Sequence, residues 1–421
     1  MVCDVILLAV DKSNEQGAFS AQESLEELDE LCRTAGLTPR FTFLQKRRFL
    51  HSKYYVGEGK IADVKLCIKQ HQIPILVVDD ELKPNQHKSL EQYLEIKIMD
   101  RTSLILDIFA KRALSAEAKL QVELAQLMYL LPRLSKMWLH LSRLGGGIGT
   151  RGPGEKQLET DKRLVSKRIS FIKSKIQKVG VQRRLRHKTF THTPIYRCSL
   201  IGYTNAGKSS LFQALTHTKT LVQNQLFATL DPFTKTCQLP DKQTLLLTDT
   251  VGFIRKLPHH LVYSFYSTLE HVGLADVLLH VVDASSSNVL STIEVSQQLI
   301  KDLKADHLPL IYVFNKWDKV AKKNQLLNSI KNYNPFVCVS ARFDTSFENL
   351  FSEISRVLAT FQIEKRFNVP YSATDVLDMI YTHGVILDKK VLKDRLSLNV
   401  RIHKVLAQKI MSQLASTVFK Q

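Results

Sequence analysis

At 421 residues the chain is long enough for two or three units, each burying its own core. Its formal charge of +19 points to a polyanionic partner, which is a statement about association and not about fold. Six scattered cysteines, with no C-x-x-C pair or Cys/His cluster, exclude a disulfide scaffold and a zinc module, and no apolar run reaches the length of about 18 residues that spans a membrane. The apolar start carries Asp4 and lacks a basic head, so it does not read as a signal peptide; the expectation is a cytoplasmic chain, with partial membrane association and oligomeric state open.

In chain order, strand-like runs at Val5 to Val10, Ile75 to Val78 and Ile96 to Met99 alternate with helical ones at Gln22 to Ala35 and Lys60 to Gln70. That alternation predicts an α/β unit with a largely parallel sheet over residues 1–112. Gly57 and Gly59 mark a turn more readily than a second nucleotide site. Leu120, Leu124, Leu127 and Leu131 then form one apolar stripe, expected to end or kink near Pro132. A second long helix is expected from Leu158 to Val179, so residues 113–190 read as a helical hairpin whose tip is Gly145 to Gly154. Six of the 16 glycines lie in that tip, which implies mobility or close backbone approach. Between Arg143 and Lys188 a dense run of Lys and Arg, including Arg151 and Lys156, faces only Glu155, Glu159 and Asp161; with Phe171 the main aromatic, contact with RNA phosphates is expected over base stacking.

Next comes Gly202-Tyr203-Thr204-Asn205-Ala206-Gly207-Lys208-Ser209, after the apolar run Ile195 to Ile201 and before the helical Ser210 to Thr216. This is the phosphate-loop pattern: bare backbone amides wrap the phosphates, Lys208 reaches the β/γ oxygens, and the Ser209 hydroxyl meets Mg²⁺. Asp249-Thr250-Val251-Gly252 ends the run Thr244 to Thr248; Asp249 would hold Mg²⁺ through water and the Gly252 amide would meet the γ-phosphate. Upstream, Phe227-Ala228-Thr229-Leu230-Asp231 fits a loop whose Thr229 closes on the metal, with Thr234 a rival. Asn315-Lys316-Trp317-Asp318 follows Leu308 to Phe314, and the Asp318 carboxylate can accept both N1–H and the N2 amine of guanine, donors that adenine lacks there. Asn315 would brace the phosphate loop, while Ser340-Ala341-Arg342, after Phe336 to Val339, would offer an amide to guanine O6. GTP with Mg²⁺ is therefore the expected substrate, in a unit over residues 194–362 with a mixed, mostly parallel sheet. Phe253 stands where many small GTPases carry a water-orienting glutamine, so hydrolysis is expected to be slow alone, with the missing group supplied by a partner or by a rearranged loop; a Phe253 that simply packs fits the same expectation. Residues 366–421 alternate strictly at Leu396, Leu398, Val400 and Ile402 and read as a small α+β unit opening at Val369-Pro370, with a helix near Thr374 to Tyr381.

The segment Leu144 to Asp161 (L-G-G-G-I-G-T-R-G-P-G-E-K-Q-L-E-T-D) resembles the signature of the HflX family of ribosome-associated GTPases. Tyr55 to Lys60, Val78 to Leu82, Asp100 to Ala110, Gln121 to Leu127, Phe227 to Asp231 and Asp249 to Phe253 look like family blocks in family order. Lys156, where threonine is usual, and Phe233, where threonine often follows Asp-Pro, depart from the pattern. The resemblance implies binding to the large ribosomal subunit and its RNA and, for some members, splitting of stalled or vacant ribosomes under stress. Two other readings stay open at this point: an RNA- or ribosome-assembly GTPase, and a signalling GTPase acting on a protein or membrane partner.

Overall fold

The structure is a computed structural model; it describes residues 3–12, 20–137, 153–190, 195–217, 226–227, 231–240, 243–256, 272–343 and 346–418. The first sheet is built from β1 (Cys3–Asp11), β2 (Leu37–Lys46), β3 (Ile75–Val78) and β4 (Lys97–Asp100), all parallel in the order β2-β1-β3-β4. Both faces of β1 are buried, which explains its unbroken apolar run. Val5, Leu7 and Ala9 pack with α1 (Ala21–Ala35) and α4 (Arg101–Arg112), whereas Ile6, Leu8 and Val10 pack with α2 (Glu58–His71) and α3 (Pro84–Leu94). The second strand has no counterpart among the expected runs. It lies at the sheet edge, and the register shift opposite Val5/Ile6 lets Pro39 sit in it, since an edge strand tolerates a missing amide.

Two long helices follow, α5 (Ala116–Met137) and α6 (Pro153–Phe190). Helix α5 runs through Pro132 instead of ending there. Arg133, just beyond the proline, ties that turn to the first sheet by donating to Leu82 O at 2.8 Å and to Asp100 Oδ2 at 3.2 Å. Leu120, Leu124, Leu127 and Leu131 meet Val165, Ile169, Ile172 and Ile176 of α6, a spacing that leaves Arg163, Lys167, Lys173, Lys175 and Lys178 on the exposed side. Residues 145–152 of the expected tip, with Arg151, lie outside the described residues, as does the side chain of Lys156.

The central sheet has the order β10-β9-β8-β5-β7-β6, with β5 (Tyr196–Gly202), β6 (Phe233–Gln238), β7 (Thr244–Asp249), β8 (Val277–Asp283), β9 (Leu310–Asn315) and β10 (Phe336–Cys338). All pairings are parallel except β6 with β7. Helices α7 (Lys208–Thr216) and α10 (Phe347–Leu358) pack with one core of this sheet; α8 (Val289–Asp302) and α9 (Lys323–Ile330) contribute to others. A third sheet, antiparallel in the order β11-β13-β12, uses β11 (Gln362–Pro370), β12 (Val385–Val391) and β13 (Arg395–His403). Leu396, Leu398, Val400 and Ile402 point to one face, onto α11 (Thr374–His383) and α12 (Lys404–Val418). Strand β11 starts at Gln362, earlier than the Val369-Pro370 opening read from sequence. Among the described residues no helix is long and apolar enough to cross a membrane.

Candidate nucleotide site

Four loops leave the C-terminal ends of parallel strands β5, β7, β9 and β10, where an open α/β sheet forms its crevice. After β5, Gly207 has φ +91°, and a Cβ there would lie 2.2 Å from Asn315 Nδ2, so only glycine fits. Lys208 opens α7, and its buried ammonium donates to Gly202 O (3.0 Å) and Tyr203 O (2.8 Å). Burial pulls its pKa down to about 8, against a smaller upward pull from Asp249. After β7, Gly252 packs so closely that a Cβ would sit 2.8 Å from Thr204 Cγ2 and 3.0 Å from Lys208 Nζ. The Ser209 hydroxyl donates to Asp249 Oδ2 at 2.7 Å. That brings a hydroxyl and a buried carboxylate together beside the lysine, a hard-oxygen pair suited to Mg²⁺. Thr250 faces inward and donates to Leu200 O at 2.6 Å.

After β9, Asn315 joins two loops: its Nδ2 donates to Ala206 O and its Oδ1 accepts the Ala341 amide, each at 3.0 Å. Within the Ser340 to Arg342 stretch expected to offer an amide to guanine O6, the Ala341 amide is engaged with Asn315 here. Trp317 and Asp318 lie on a short 3₁₀ turn, where Lys316 pairs with Asp283 at 2.7 Å and Asp318 is exposed. The Ser340 hydroxyl donates to Asp318 Oδ1 at 2.6 Å and holds that carboxyl below the usual range. Arg342 follows in a turn, with its guanidinium 5.5 Å from the Phe343 ring centroid.

Part of the sequence expectation is redistributed. Phe253 is buried among Ile201, Val272, Leu278 and Ile300, and its backbone exchanges bonds with Gly202 O and the Thr204 amide, so the ring packs as core. Phe227 does not face the phosphate loop. It is buried in the first unit's core, edge-on to Phe109 with ring centroids 4.6 Å apart. Asp231 caps α5, accepting from the Leu114 and Ser115 amides at 3.1 and 3.0 Å and from the Ser115 hydroxyl. Both residues are drawn away by partners more than a hundred positions upstream in sequence. Thr234 is taken into β6, 3.0 Å from the Thr248 hydroxyl; Ala228, Thr229 and Leu230 lie outside the described residues.

A polar seam between the first unit and this site was not anticipated. Arg101 is 1% exposed and pairs with Asp79 (2.8 Å) and Glu27 (2.7 Å). Burial works against its charge, but the two carboxylates outweigh it and raise the pKa. The Tyr203 hydroxyl, inside the phosphate loop, donates to Glu27 and accepts the Arg255 amide at 3.0 Å. Lys256 reaches Asp79 (2.5 Å) and Asp80 (2.8 Å), and Tyr55 donates to Asp80 at 2.7 Å. Burial raises the Asp80 pKa, yet Lys256 and Tyr55 together bring it below its usual value. The sequence signal was present in Val78-Asp79-Asp80, an acidic pair at the mouth of an apolar strand.

Comparison with known proteins agrees with this geometry. Residues 22–110 match the family described as GTP-binding GTPase N-terminal, residues 112–189 the GTP-binding GTPase Middle Region, and residues 197–316 the 50S ribosome-binding GTPase family. The chain is 42% identical to GTPase HflX of Caldanaerobacter subterraneus subsp. tengcongensis over 384 residues, 91% of this chain and 87% of the relative. It is 40% identical to that of Lacrimispora saccharolytica over 94% of this chain and 93% of the relative, and 40% identical to that of Escherichia coli strain K12 over 80% and 79%. With a phosphate loop, a D-x-x-G turn and an N-K-x-D turn gathered at one sheet edge, and relatives of this identity along most of its length, the chain belongs to the HflX family of GTPases.

Proposed function

We propose that the chain binds the large ribosomal subunit, hydrolyses GTP slowly until docked there, and splits stalled or vacant ribosomes under stress. The observation that supports this reading best is the convergence of Lys208, Gly252, Ser209, Asp249 and Asn315 on one crevice, in a chain that also carries a strongly basic helical hairpin. In this reading Lys208 exchanges its two carbonyl partners for the β- and γ-phosphate oxygens. The Gly202 to Ser209 amides wrap the phosphates and the Gly252 amide meets the γ-phosphate. Ser209 and, through water, Asp249 would hold Mg²⁺, with Thr229 as a further ligand; a bound Mg²⁺ would supply charge stabilisation to the phosphoryl oxygens. Asp318 reads guanine N1–H and N2, with the loop from Ser340 to Arg342 behind the base.

Phe253 can neither orient water nor stabilise charge, so the free enzyme lacks the group that a docked partner supplies. Such groups given in trans are worth about three to five powers of ten. GTP turnover measured with and without purified large subunits tests the reading. A rise of at least about tenfold is expected. Equal turnover at concentrations where cosedimentation shows binding contradicts it. Splitting is checked separately, by gradient sedimentation of vacant ribosomes with GTP.

A further inference from the structure

Between Glu30 and Glu58 the chain carries six Lys or Arg and no acidic residue. Four of the six fall at the C-terminal edge of the first sheet: Lys46 ends β2, and Arg47, Arg48 and Lys53 lie in the loop between β2 and α2. That loop also carries Phe49, which is 74% exposed, next to exposed Leu50. We infer that residues 46–54 form a second RNA-binding surface, one that stacks an unpaired base on Phe49 and holds flanking phosphates with Lys46, Arg48 and Lys53. This rests on the ribosomal reading above for its natural partner, but not for its chemistry.

The loop is built, not loose. His51 and Tyr55 exchange backbone hydrogen bonds at 3.0 and 3.1 Å, the Tyr54 amide donates to His51 Nδ1 at 3.1 Å, and Gln86 donates to His51 O at 2.8 Å. The Arg47 amide is anchored on Asp11 O at 2.9 Å. Cations and rings are interleaved: Arg48 lies 5.6 Å from the Phe49 ring centroid and Lys53 lies 4.8 Å from that of Tyr54. Lys46, Arg48 and Lys53 are exposed, and among the described residues no carboxylate is at ion-pair distance from them. An exposed ring among uncompensated cations has the two parts of a single-strand site, a stacking face and a phosphate track. A membrane surface fits less well, since only Phe49 and Leu50 are apolar and exposed in the loop, well short of the apolar face that interfacial binding buries. The loop is also tied to the segment after β7, because Tyr55, next to residues 46–54, bonds Asp80, the partner of Lys256.

The test uses the full chain, with Phe49→Ala, Phe49→Tyr and the double variant Arg48→Ala/Lys53→Ala. Their exposed positions predict unchanged folding, checked by thermal melting. Binding is measured to a labelled single-stranded RNA oligonucleotide, to phosphatidylglycerol vesicles, and to large subunits by cosedimentation. Phe49→Ala is expected to weaken single-strand binding about tenfold while Phe49→Tyr retains it. The double variant is expected to lower the salt slope of log affinity by about 1.4. Wild-type RNA affinity and salt slope in both Ala variants, or loss of vesicle binding with RNA binding unchanged, overturns the inference. Loop-dependent RNA binding by a chain that ignores large subunits supports this surface and refutes the ribosomal reading instead.

Discussion

Lys208 is the side chain on which the site's electrostatics turn. A buried ammonium with a pKa near 8, below its ordinary 10.5, is partly neutral in mildly alkaline solution, whereas phosphate oxygens beside it would favour the charged form. GTP binding above pH 8 is therefore expected to take up a proton, and affinity to fall by about tenfold per pH unit as pH rises past that value. Calorimetry in buffers of different ionisation enthalpy checks the uptake; a pH-independent affinity between 7.5 and 9.5 would speak against Lys208 as the phosphate ligand. Stability without nucleotide runs the other way. The unfolded chain binds more protons at this group between pH 8 and 10.5, so its contribution to stability rises with pH across that window. Asp318→Asn is expected to shift preference from guanine toward xanthine nucleotides, since the amide presents a donor where xanthine has a carbonyl. Competition of GTP with XTP is the measurement, and an unchanged preference would remove Asp318 from base recognition.

At the scale of elements, the segment after β7 is held by the first sheet through unlike contacts. Asp79 sits at the end of β3 with buried Arg101 on one side and half-exposed Lys256 on the other. Asp79→Asn leaves a buried guanidinium with one carboxylate fewer and is expected to destabilise by about 3 kcal/mol. Lys256→Met removes a charge whose side chain is 38% exposed, and screening holds its cost to under about 1 kcal/mol. Urea midpoints of the two variants at unchanged m-value report the difference. Equal losses would mean that Lys256, not Arg101, anchors the seam.

For the whole molecule, the first unit and the GTPase unit share a core. Leu226, Phe227, Val251 and Ile254, all from the GTPase stretch, are buried with Leu104, Ile108 and Phe109. Residues 194–362 produced alone would expose four such side chains, each worth about 1.5–3 kcal/mol on full burial. That fragment is expected to melt well below the full chain and to bind an apolar dye; a melting temperature equal to the full chain's would show that these contacts contribute little.

The nucleotide motifs were legible because each is a few contiguous residues at the end of one strand, and contiguity survives folding: Gly202 to Ser209, Asp249 to Gly252 and Asn315 to Asp318 stand where a parallel sheet delivers them, at one edge. The hairpin was legible from a period of three to four in Leu120 to Leu131, although not its passage through Pro132, which Arg133 secures from another element. The amino-acid sequence alone thus determined which nucleotide chemistry the chain can perform and which strands and helices carry it. Only the tertiary structure decided that Phe253 is core, that Phe227 and Asp231 serve the first unit, and that Tyr203 and Lys256 join Glu27 and Asp79 across 176 and 177 positions. Those contacts follow from burial and charge pairing between distant segments, for which no local pattern in the chain exists.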